Sequence, residues 1–212
     1  KISLIKTLEN GQKIQCVPIA IEYMCKHCND RLYKSLDKID LKKIQEIDKK
    51  FNNHKEKLIF PKQKLLEGAS SARWRKHNYE YYHEVFNSRQ LLAFNYLIDG
   101  INKIQDAEYR NAFITIFSNA LEYNNMMTPY NFPHRKLHHL FNYHALPLTT
   151  IPVENSVWGT SNDGAGTFIN CYKRYYNAKK YCQKPFDKFK TKRNEIKTIH
   201  SAKETISAKF VS

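Results

Sequence analysis

Residues 87–125, NSRQLLAFNYLIDGINKIQDAEYRNAFITIFSNALEYNN, decide the fold of this chain. Apolar residues recur at helical spacing in both halves of the stretch, which predicts two amphipathic helices. Ser88 is the predicted cap of the first helix, Asp106 caps the second, and Asn124–Asn125 suits its end. Because the connection is short, we expect the helices to pack as an antiparallel hairpin.

Working outward, residues 35–51, SLDKIDLKKIQEIDKKF, predict another helix capped by Ser35 or Asp37. A further helix is predicted from about 167 to 181. Alternating apolar side chains in IQCVPIAIEYMC predict a half-buried strand, carried by Val17, Ile19, Ile21 and Tyr23. The sequence therefore predicts an α+β chain, a mostly helical module with a small N-terminal β or zinc-ribbon-like subdomain.

Composition shifts suggest where this chain is divided. We predict a small Cys-x-x-Cys subdomain over residues 1–66 and a basic, aromatic linker over residues 67–86. A helical, DNA-engaging module is predicted over residues 87–186, and a basic tail over residues 187–212. No internal repeat is found.

The net charge of +15 is concentrated near the C-terminus. Residues 131–212 hold 14 Lys or Arg against five Asp or Glu, while residues 61–130 hold eight against seven. Such a basic chain favours a polyanionic partner, nucleic acid before an anionic membrane. The alternative is a lysine-rich composition that only solvates the surface.

Length and hydropathy predict a globular protein in the cytoplasm, without a membrane partner. The chain has 212 residues, 42% of them hydrophobic, and no apolar run reaches the roughly 18 residues of a spanning helix. Its first residues lack the apolar region of a signal peptide. Because it does not begin with Met, we expect a piece of a longer protein.

Five cysteines, an odd number, argue against a disulfide framework. Cys25 and Cys28 have the spacing that holds one edge of a tetrahedral zinc site, and Cys16 is the candidate third ligand, with His27 or His54 also available. The alternative is a knuckle without metal or a pair of ordinary thiols. Cys171 and Cys182 lie too far apart along one predicted helix to share an ion, so we expect them in the core.

Two segments interleave cations with aromatic or histidine side chains. In ARWRKHNYEYYHEVF, residues 72–86, Arg73, Arg75 and Lys76 could contact phosphates while the aromatics stack on bases. The alternative is a connector whose aromatics fill the core. His134, Arg135 and Lys136 begin a basic cluster predicted on a short helix, where His134 and His138 would share one face. This cluster is interpreted either as a surface that faces phosphates or as a face that is only solvated.

The loop NYHALPLTTIPVENSVWG, residues 142–159, is predicted to be a shaped connector between helices. Glu154 and Asn155 are expected to satisfy backbone groups or to cap the next element, and Trp158 to fill the fold. Direct contact with DNA or with a neighbouring catalytic core is the alternative. GTSNDGAGTF, residues 159–168, is interpreted as a turn with Thr167 or Asp163 capping the next helix, since it lacks a phosphate-loop pattern. No catalytic set has a specific local signature.

Several motifs together resemble large bacterial S-adenosylmethionine-dependent DNA adenine-N6 methyltransferases of the restriction-modification or phage-defence type. RQLL at residues 89–92 resembles one family segment. The loop resembles the family signature F-x-x-H-x-L-x-x-x-x-x-P-x-E-x-N-x-W-G through residues that include His144, Glu154 and Trp158, with Asn155 one position before the signature's Asn. The Cys-x-x-Cys pair resembles the family's zinc-ribbon-like insertion. The resemblance covers about residues 16–186.

The resemblance implies a DNA-binding, target-recognition role without catalysis by this chain alone. The family's F-x-G-x-G cofactor loop and its D-P-P-Y motif are absent from this sequence. Zinc could be bound here, whereas S-adenosylmethionine would be bound only by a catalytic core supplied in cis or in trans. The implied partner is double-stranded DNA, with contacts extended to Arg89, Lys173 and Arg174. A standalone zinc-dependent nucleic-acid-binding module and a subunit-interaction scaffold remain the alternatives.

Overall fold

The computed structural model describes residues 9–142, 145–149, 151–159 and 164–200. Helices and small antiparallel hairpins alternate along these residues, which confirms the α+β class. The helices are α1 (Lys38–His54), α2 (Ala72–Arg75), α3 (Ser88–Asn102), α4 (Ala107–Tyr123) and α5 (Phe168–Gln183). The strands are β1 (Ala20–Met24), β2 (Arg31–Ser35), β3 (Tyr130–Asn131), β4 (Lys136–Leu137), β5 (Phe186–Lys190) and β6 (Ile196–His200).

The N-terminal strand is shorter and more exposed than the alternating pattern predicted. β1 pairs antiparallel with β2, from Ala20 opposite Ser35 to Met24 opposite Arg31. Val17 and Ile19 precede the strand and are 80% and 78% exposed. A two-stranded hairpin has no second layer against which alternate side chains could be buried. A strand is thus confirmed over Ala20–Met24, but the burial predicted for Val17, Ile19 and Tyr23 was wrong, and a zinc-ribbon subdomain is not shown.

Helix α1 begins where the second candidate cap predicted. The Asp37 carboxylate accepts hydrogen bonds from the backbone N–H groups of Ile39 at 2.8 Å and Asp40 at 2.9 Å. Asp40 in turn accepts from the Asp37 N–H, which completes a capping box. The helix packs against α3 and buries Phe51.

Helices α3 and α4 form the predicted pair, but the first cap lies one residue earlier. The Asn87 side chain accepts from the Gln90 N–H at 2.9 Å, and Gln90 accepts from the Asn87 N–H at 3.0 Å. Ser88 instead donates its hydroxyl to Asp48 of α1. Asp106 caps α4 and Asn124 ends it, as predicted. The pair packs on α5 in a core of Phe94, Ile101, Ile116, Ala120, Val157, Phe168 and Cys171.

A second core cluster draws on the basic and aromatic stretch. Trp74 is 1% exposed, and its indole N–H donates to the Pro147 carbonyl at 2.6 Å. Tyr79 and Val85 are buried beside it, together with Leu65, Met127 and Leu140. The aromatics of this stretch thus fill the core, while Arg73, Arg75 and Lys76 remain exposed.

The His-rich segment forms a hairpin where a short helix was predicted. Tyr130 pairs with Leu137 and Asn131 with Lys136. In the turn between these strands Arg135 has a φ of +47°. The His134 N–H donates to the Asn131 side-chain oxygen at 3.2 Å. Pro133 in the turn cannot donate a helical hydrogen bond. The predicted helical face shared by His134 and His138 was therefore wrong.

The C-terminal part of the described chain also contains more structure than its composition suggested. β5 pairs antiparallel with β6, from Phe186 opposite His200 to Lys190 opposite Ile196. This hairpin lies within the stretch predicted as a basic tail. Thr167 caps α5 by accepting from the Asn170 N–H at 3.3 Å, as one of the two candidate caps predicted; the other candidate, Asp163, lies outside the described residues.

Glu84 is expected to make stability depend on pH. Burial alone would raise its pKa, but Lys13 and the N–H groups of Tyr81 and Glu80 hold the Glu84 pKa below its ordinary value. Because the pKa of Glu84 is lower in the folded protein than in the unfolded chain, the ionised carboxylate stabilises the fold at pH values above the unfolded-state pKa. This contribution is lost as the pH falls through the folded-state pKa. We expect Glu84→Gln to lower the free energy of unfolding by about 1 kcal/mol at pH 7 and progressively less below pH ~4.

Thermal unfolding of both proteins between pH 3 and pH 7 measures this difference. Glu80→Gln is the matched control, because the Glu80 side chain is 57% exposed and pairs with the surface side chain of Lys64. A gap between Glu84→Gln and the parent chain that is the same at every pH would contradict the assignment.

Candidate nucleic-acid interface

A basic cleft forms where the end of α4, strand β4 and the start of α5 meet. Its volume is about 270 Å³. Segments far apart in sequence contribute to it, and the lining side chains are mostly polar or cationic. They are Tyr123, Lys136, Leu137, His138, His139, Ala165, Gly166, Asn170 and Arg174.

The two permanent cations of the cleft are held by regular secondary structure. Lys136 follows the turn of the β3–β4 hairpin, and its neighbour Leu137 is 6% exposed. Because successive strand residues point to opposite faces, burial of Leu137 directs Lys136 outward. Arg174 lies one turn after Asn170 on the same face of α5. Its guanidinium donates to the Tyr123 hydroxyl at 3.4 Å, which raises the pKa of Arg174 further.

The histidines of the cleft are tied to polar neighbours. A ring nitrogen of His138 lies 2.9 Å from the side-chain nitrogen of Asn131. His139 Nδ1 lies 3.1 Å from a carboxylate oxygen of Glu122. Glu122 is thus an acid bordering the cleft, and it is engaged by His139. Lys136 and Arg174 are the two permanent cations that line the cleft, and the Glu122 carboxylate lies near Arg174.

Arg135 was predicted to contact DNA, but its guanidinium is engaged within the chain. It donates to Glu22 at 2.9 Å and to the Arg31 carbonyl at 2.7 Å, and it lies over the Tyr33 ring. A hydrogen bond to the Tyr33 hydroxyl and the nearby Glu22 carboxylate raise the pKa of Arg135. These contacts dock the β1–β2 hairpin onto the β3–β4 hairpin. We therefore leave Arg135 out of the proposed interface.

Arg89 is engaged in the same way. It donates to both carboxylate oxygens of Glu154, at distances of 2.6 to 3.1 Å, and to Asp48 at 3.3 Å. Asn87 also donates to Glu154, at 2.7 Å. The hydrogen bond that Arg89 donates to Glu154 is the main cause that raises the pKa of Arg89. The pair ties the loop before α5 to α1 and α3, and Arg89 is accordingly left out as well.

The backbone of the loop before α5 caps that helix. The Phe168 N–H donates to the Val157 carbonyl at 2.8 Å, and the Ile169 N–H donates to the Trp158 carbonyl at 3.1 Å. Thr167 accepts the next two N–H groups, from Asn170 at its hydroxyl and from Cys171 at its carbonyl. The first helical N–H groups are thus already bonded, which favours the turn over a phosphate loop.

The signature residues of this loop have different roles. Glu154 bonds side chains, whereas the Asn155 side chain donates to the Ala165 carbonyl at 2.9 Å, which matches the expectation that it would satisfy a backbone group. Trp158 was expected to fill the fold, but this was wrong: it is 58% exposed and stacks on Phe168. His144 lies outside the described residues.

The remaining predicted contacts are spread over two other places. Arg73, Arg75 and Lys76 are exposed on and just after α2, and Arg75 donates to the Gly68 carbonyl at 3.2 Å. His134 is exposed in the β3–β4 turn. Lys173 is exposed on α5 beside Arg174. Of the predicted residues, the structure therefore brings Lys136 and Arg174 together at one cleft.

Helix α5 adds two cations, Lys179 and Lys180, that were not singled out from the sequence. Together with Lys173 and Arg174 they lie on a helix that contains no acidic residue. The Lys179 ammonium lies 5.5 Å from the Tyr175 ring centre and that of Lys180 lies 4.6 Å from the Tyr176 ring centre. The signal that could have found this surface is the absence of any Asp or Glu across a 16-residue helix.

The candidate zinc ligands do not assemble into a complete site. Hydrogen bonds from the Cys28 backbone, the Cys28 thiol and the His27 backbone lower the pKa of Cys25. Cys16 lies close enough to Tyr79 to contribute to its raised pKa of about 12, which is mainly due to burial. Among the described residues, no three His, Cys, Asp or Glu side chains cluster as metal ligands. Two thiols alone do not fit a four-ligand structural zinc site, so zinc stays a prediction.

Comparison with models of known protein families, with curated proteins and with solved structures gives no match to this chain. The methyltransferase resemblance therefore rests on the sequence motifs alone. In the part of the chain that the structure describes, no helix combines the length and the apolar character needed to cross a bilayer.

Proposed function

We propose that this chain binds double-stranded DNA as the target-recognition part of an adenine-N6 DNA methyltransferase of the restriction-modification or phage-defence type. The observation that carries the proposal is the basic cleft, in which Lys136 and Arg174 converge from segments 38 positions apart in the sequence. The acid-free helix α5 extends the same positive charge away from the cleft.

Phosphate contact is the chemistry that this surface supports best. Lys and Arg that neutralise phosphates release condensed counterions, and this release supplies most of the sequence-independent affinity for DNA. The Arg174 guanidinium lies 3.4 Å from the Tyr123 hydroxyl at the wall of the cleft. Arg73 and Arg75 are exposed on α2 and are available to contact base edges or further phosphates.

Methylation would require a core outside this chain. An enzyme that modifies a base in duplex DNA turns the target nucleotide out of the helix and into its active site. The motifs that would bind S-adenosylmethionine and the target adenine are absent from this sequence. We therefore assign to this chain the task of holding the flanking duplex, and to a catalytic core, in cis or in trans, the methyl transfer.

Replacing the two cleft cations with neutral glutamine tests the proposed DNA binding directly. We expect the Lys136→Gln, Arg174→Gln double variant to bind duplex DNA about tenfold more weakly at 0.15 M salt, because two phosphate contacts are lost. Titration at several salt concentrations should show a steep negative slope of log K against log salt for the parent chain. The slope should become shallower by about 1.8 in the variant, at about 0.9 per phosphate contact.

The matched control is the Lys42→Gln, Lys103→Gln double variant. It removes the same charge from side chains that are 77% and 74% exposed and lie away from the cleft, on α1 and at the end of α3. An equal loss in both double variants would mean that diffuse charge, and not the cleft, binds DNA. Absence of duplex binding by the parent chain at low salt would overturn the proposal.

The methyltransferase assignment has a separate test. The genomic sequence on both sides of this coding segment should encode an F-x-G-x-G loop upstream and a D-P-P-Y motif downstream. Finding neither, with duplex binding intact, would leave a standalone nucleic-acid-binding module in place of a methyltransferase part.

A further inference from the structure

Five aromatic rings form a continuous row: Trp158 from the loop before α5, Phe113 from α4, and Phe168, Tyr172 and Tyr176 from α5. Trp158 stacks on Phe168 with ring centres 5.8 Å apart, and Phe168 stacks on Phe113 at 6.4 Å. Phe113 stacks on Tyr172 at 6.0 Å, and Tyr172 on Tyr176 at 6.1 Å. The interplanar angles lie between 4° and 19°. We call these five residues the aromatic row.

The rings of the aromatic row are displaced sideways and leave much of their area uncovered. Ring centres about 6 Å apart at small interplanar angles describe offset stacking, in which each ring covers only part of the next. Phe168 is buried and anchors the row in the core. Trp158, Tyr172 and Tyr176 remain 58%, 38% and 46% exposed.

The backbone that carries Trp158 is held firmly although its side chain is exposed. The Trp158 carbonyl accepts from α5, and the neighbouring Val157 is buried with its carbonyl bonded to the same helix. Gly159 follows at a φ of +123°, and a Cβ there would lie 3.0 Å from the Thr167 hydroxyl. The chain thus fixes this residue in position while leaving its ring accessible. Trp74 contrasts with it, being 1% exposed with its indole N–H bonded.

The charge around the aromatic row selects the kind of partner. Lys180 lies 4.6 Å from the Tyr176 ring centre, Lys173 follows Tyr172 along α5, and α5 contains no acidic residue. A strand of nucleic acid offers the complementary pattern, with phosphates that pair with cations and bases whose faces stack on aromatic rings. A protein partner with an apolar surface would not need so many cations around the aromatic row.

We propose that the aromatic row is a stacking surface for unpaired bases of a DNA strand, with Trp158 at its accessible end and the α5 cations on the phosphates. This inference rests on the proposed DNA binding and deepens it by naming unpaired bases as a second ligand beside duplex phosphates. Turning a nucleotide out of a duplex leaves unpaired bases, so both ligands would occur in one reaction. Stacking on flat aromatic faces tolerates any base sequence.

Oligo-dT and an abasic oligonucleotide of equal length separate stacking from phosphate contact. The two carry the same phosphates, and only oligo-dT carries bases. We expect the parent chain to prefer oligo-dT, and Trp158→Ala to lose about tenfold in oligo-dT affinity, the size of one base–aromatic stack. Its affinity for the abasic strand and for duplex DNA should not change. Trp158→Phe should retain most of the oligo-dT affinity.

Tryptophan fluorescence gives a second measurement. The chain has two tryptophans, and Trp74 is buried. Oligo-dT should therefore quench the emission of Trp158 in the parent chain and leave the emission of Trp158→Phe unchanged. Tyr109→Ala is the matched control, because Tyr109 is 67% exposed on α4 outside the aromatic row. It should affect neither affinity nor quenching.

The outcomes distinguish this inference from the proposed function. Equal affinity for oligo-dT and the abasic strand, or no effect of Trp158→Ala, would overturn stacking while duplex binding stands. Failure of every nucleic acid to bind at low salt would overturn both proposals. The exposed rings would then be interpreted as a surface that binds a protein partner.

Discussion

Gly166→Ala is expected to lower the free energy of unfolding by about 3 kcal/mol or more, the largest effect of any substitution proposed for this chain. Gly166 has a φ of +73°, which disfavours residues with a Cβ. A Cβ there would overlap Cβ and Cγ of Tyr123 and lie 2.5 Å from its Cδ1. The Gly166 carbonyl also accepts from the buried Asn124 side chain at 2.8 Å, so the loop cannot move away without losing that bond.

Denaturant unfolding of Gly166→Ala measures this loss. The matched control is Gly100→Ala in α3, where nothing lies within 4 Å of the added carbon. There we expect a gain of about 0.5–1 kcal/mol from helix propensity. Similar stabilities for the two variants would contradict the close packing of Gly166 against Tyr123, and with it the wall of the basic cleft.

Helices α1, α3, α4 and α5 were predictable because their signals are local, whereas α2 lies in a stretch predicted as a linker. Asp37, Asp106 and Thr167 cap the next residues along the chain, and such bonds follow from the sequence on either side. The one misplaced cap shows the limit of this reasoning. Asn87 and Ser88 are both good capping residues. The Ser88 hydroxyl donates instead to Asp48, which lies 40 positions earlier in the sequence.

The candidate site was less predictable because it depends on distant contacts. Lys136 and Arg174 were singled out as basic residues, but their meeting at one cleft depends on the β3–β4 hairpin, which the sequence did not predict. Arg135 looked equivalent to Lys136, yet it bonds Glu22 at a separation of 113 residues. Charge patterns alone do not separate a cation engaged by an internal carboxylate from one facing solvent.

Disruption of the internal ion pair between Arg89 and Glu154 is expected to have the second-largest effect on the free energy of unfolding. Both ions are partly buried, with side-chain exposures of 22% and 32%, and the guanidinium meets both carboxylate oxygens. Glu154→Ala should lower the free energy of unfolding by about 2 kcal/mol, a value between those of surface and buried pairs. Asp48 still contacts Arg89 in this variant, which keeps the loss below that of an isolated buried charge.

A double-mutant cycle of Arg89→Ala and Glu154→Ala isolates the pair, with an expected coupling of about 1–2 kcal/mol. The Lys42–Glu46 pair, with side chains 77% and 63% exposed, provides the control cycle and should give less than about 0.5 kcal/mol. The salt dependence of duplex binding should be unchanged in Glu154→Ala, because the carboxylate serves the fold. Unchanged unfolding with weakened DNA binding would instead show that Glu154 and its loop contact the nucleic acid or the catalytic core.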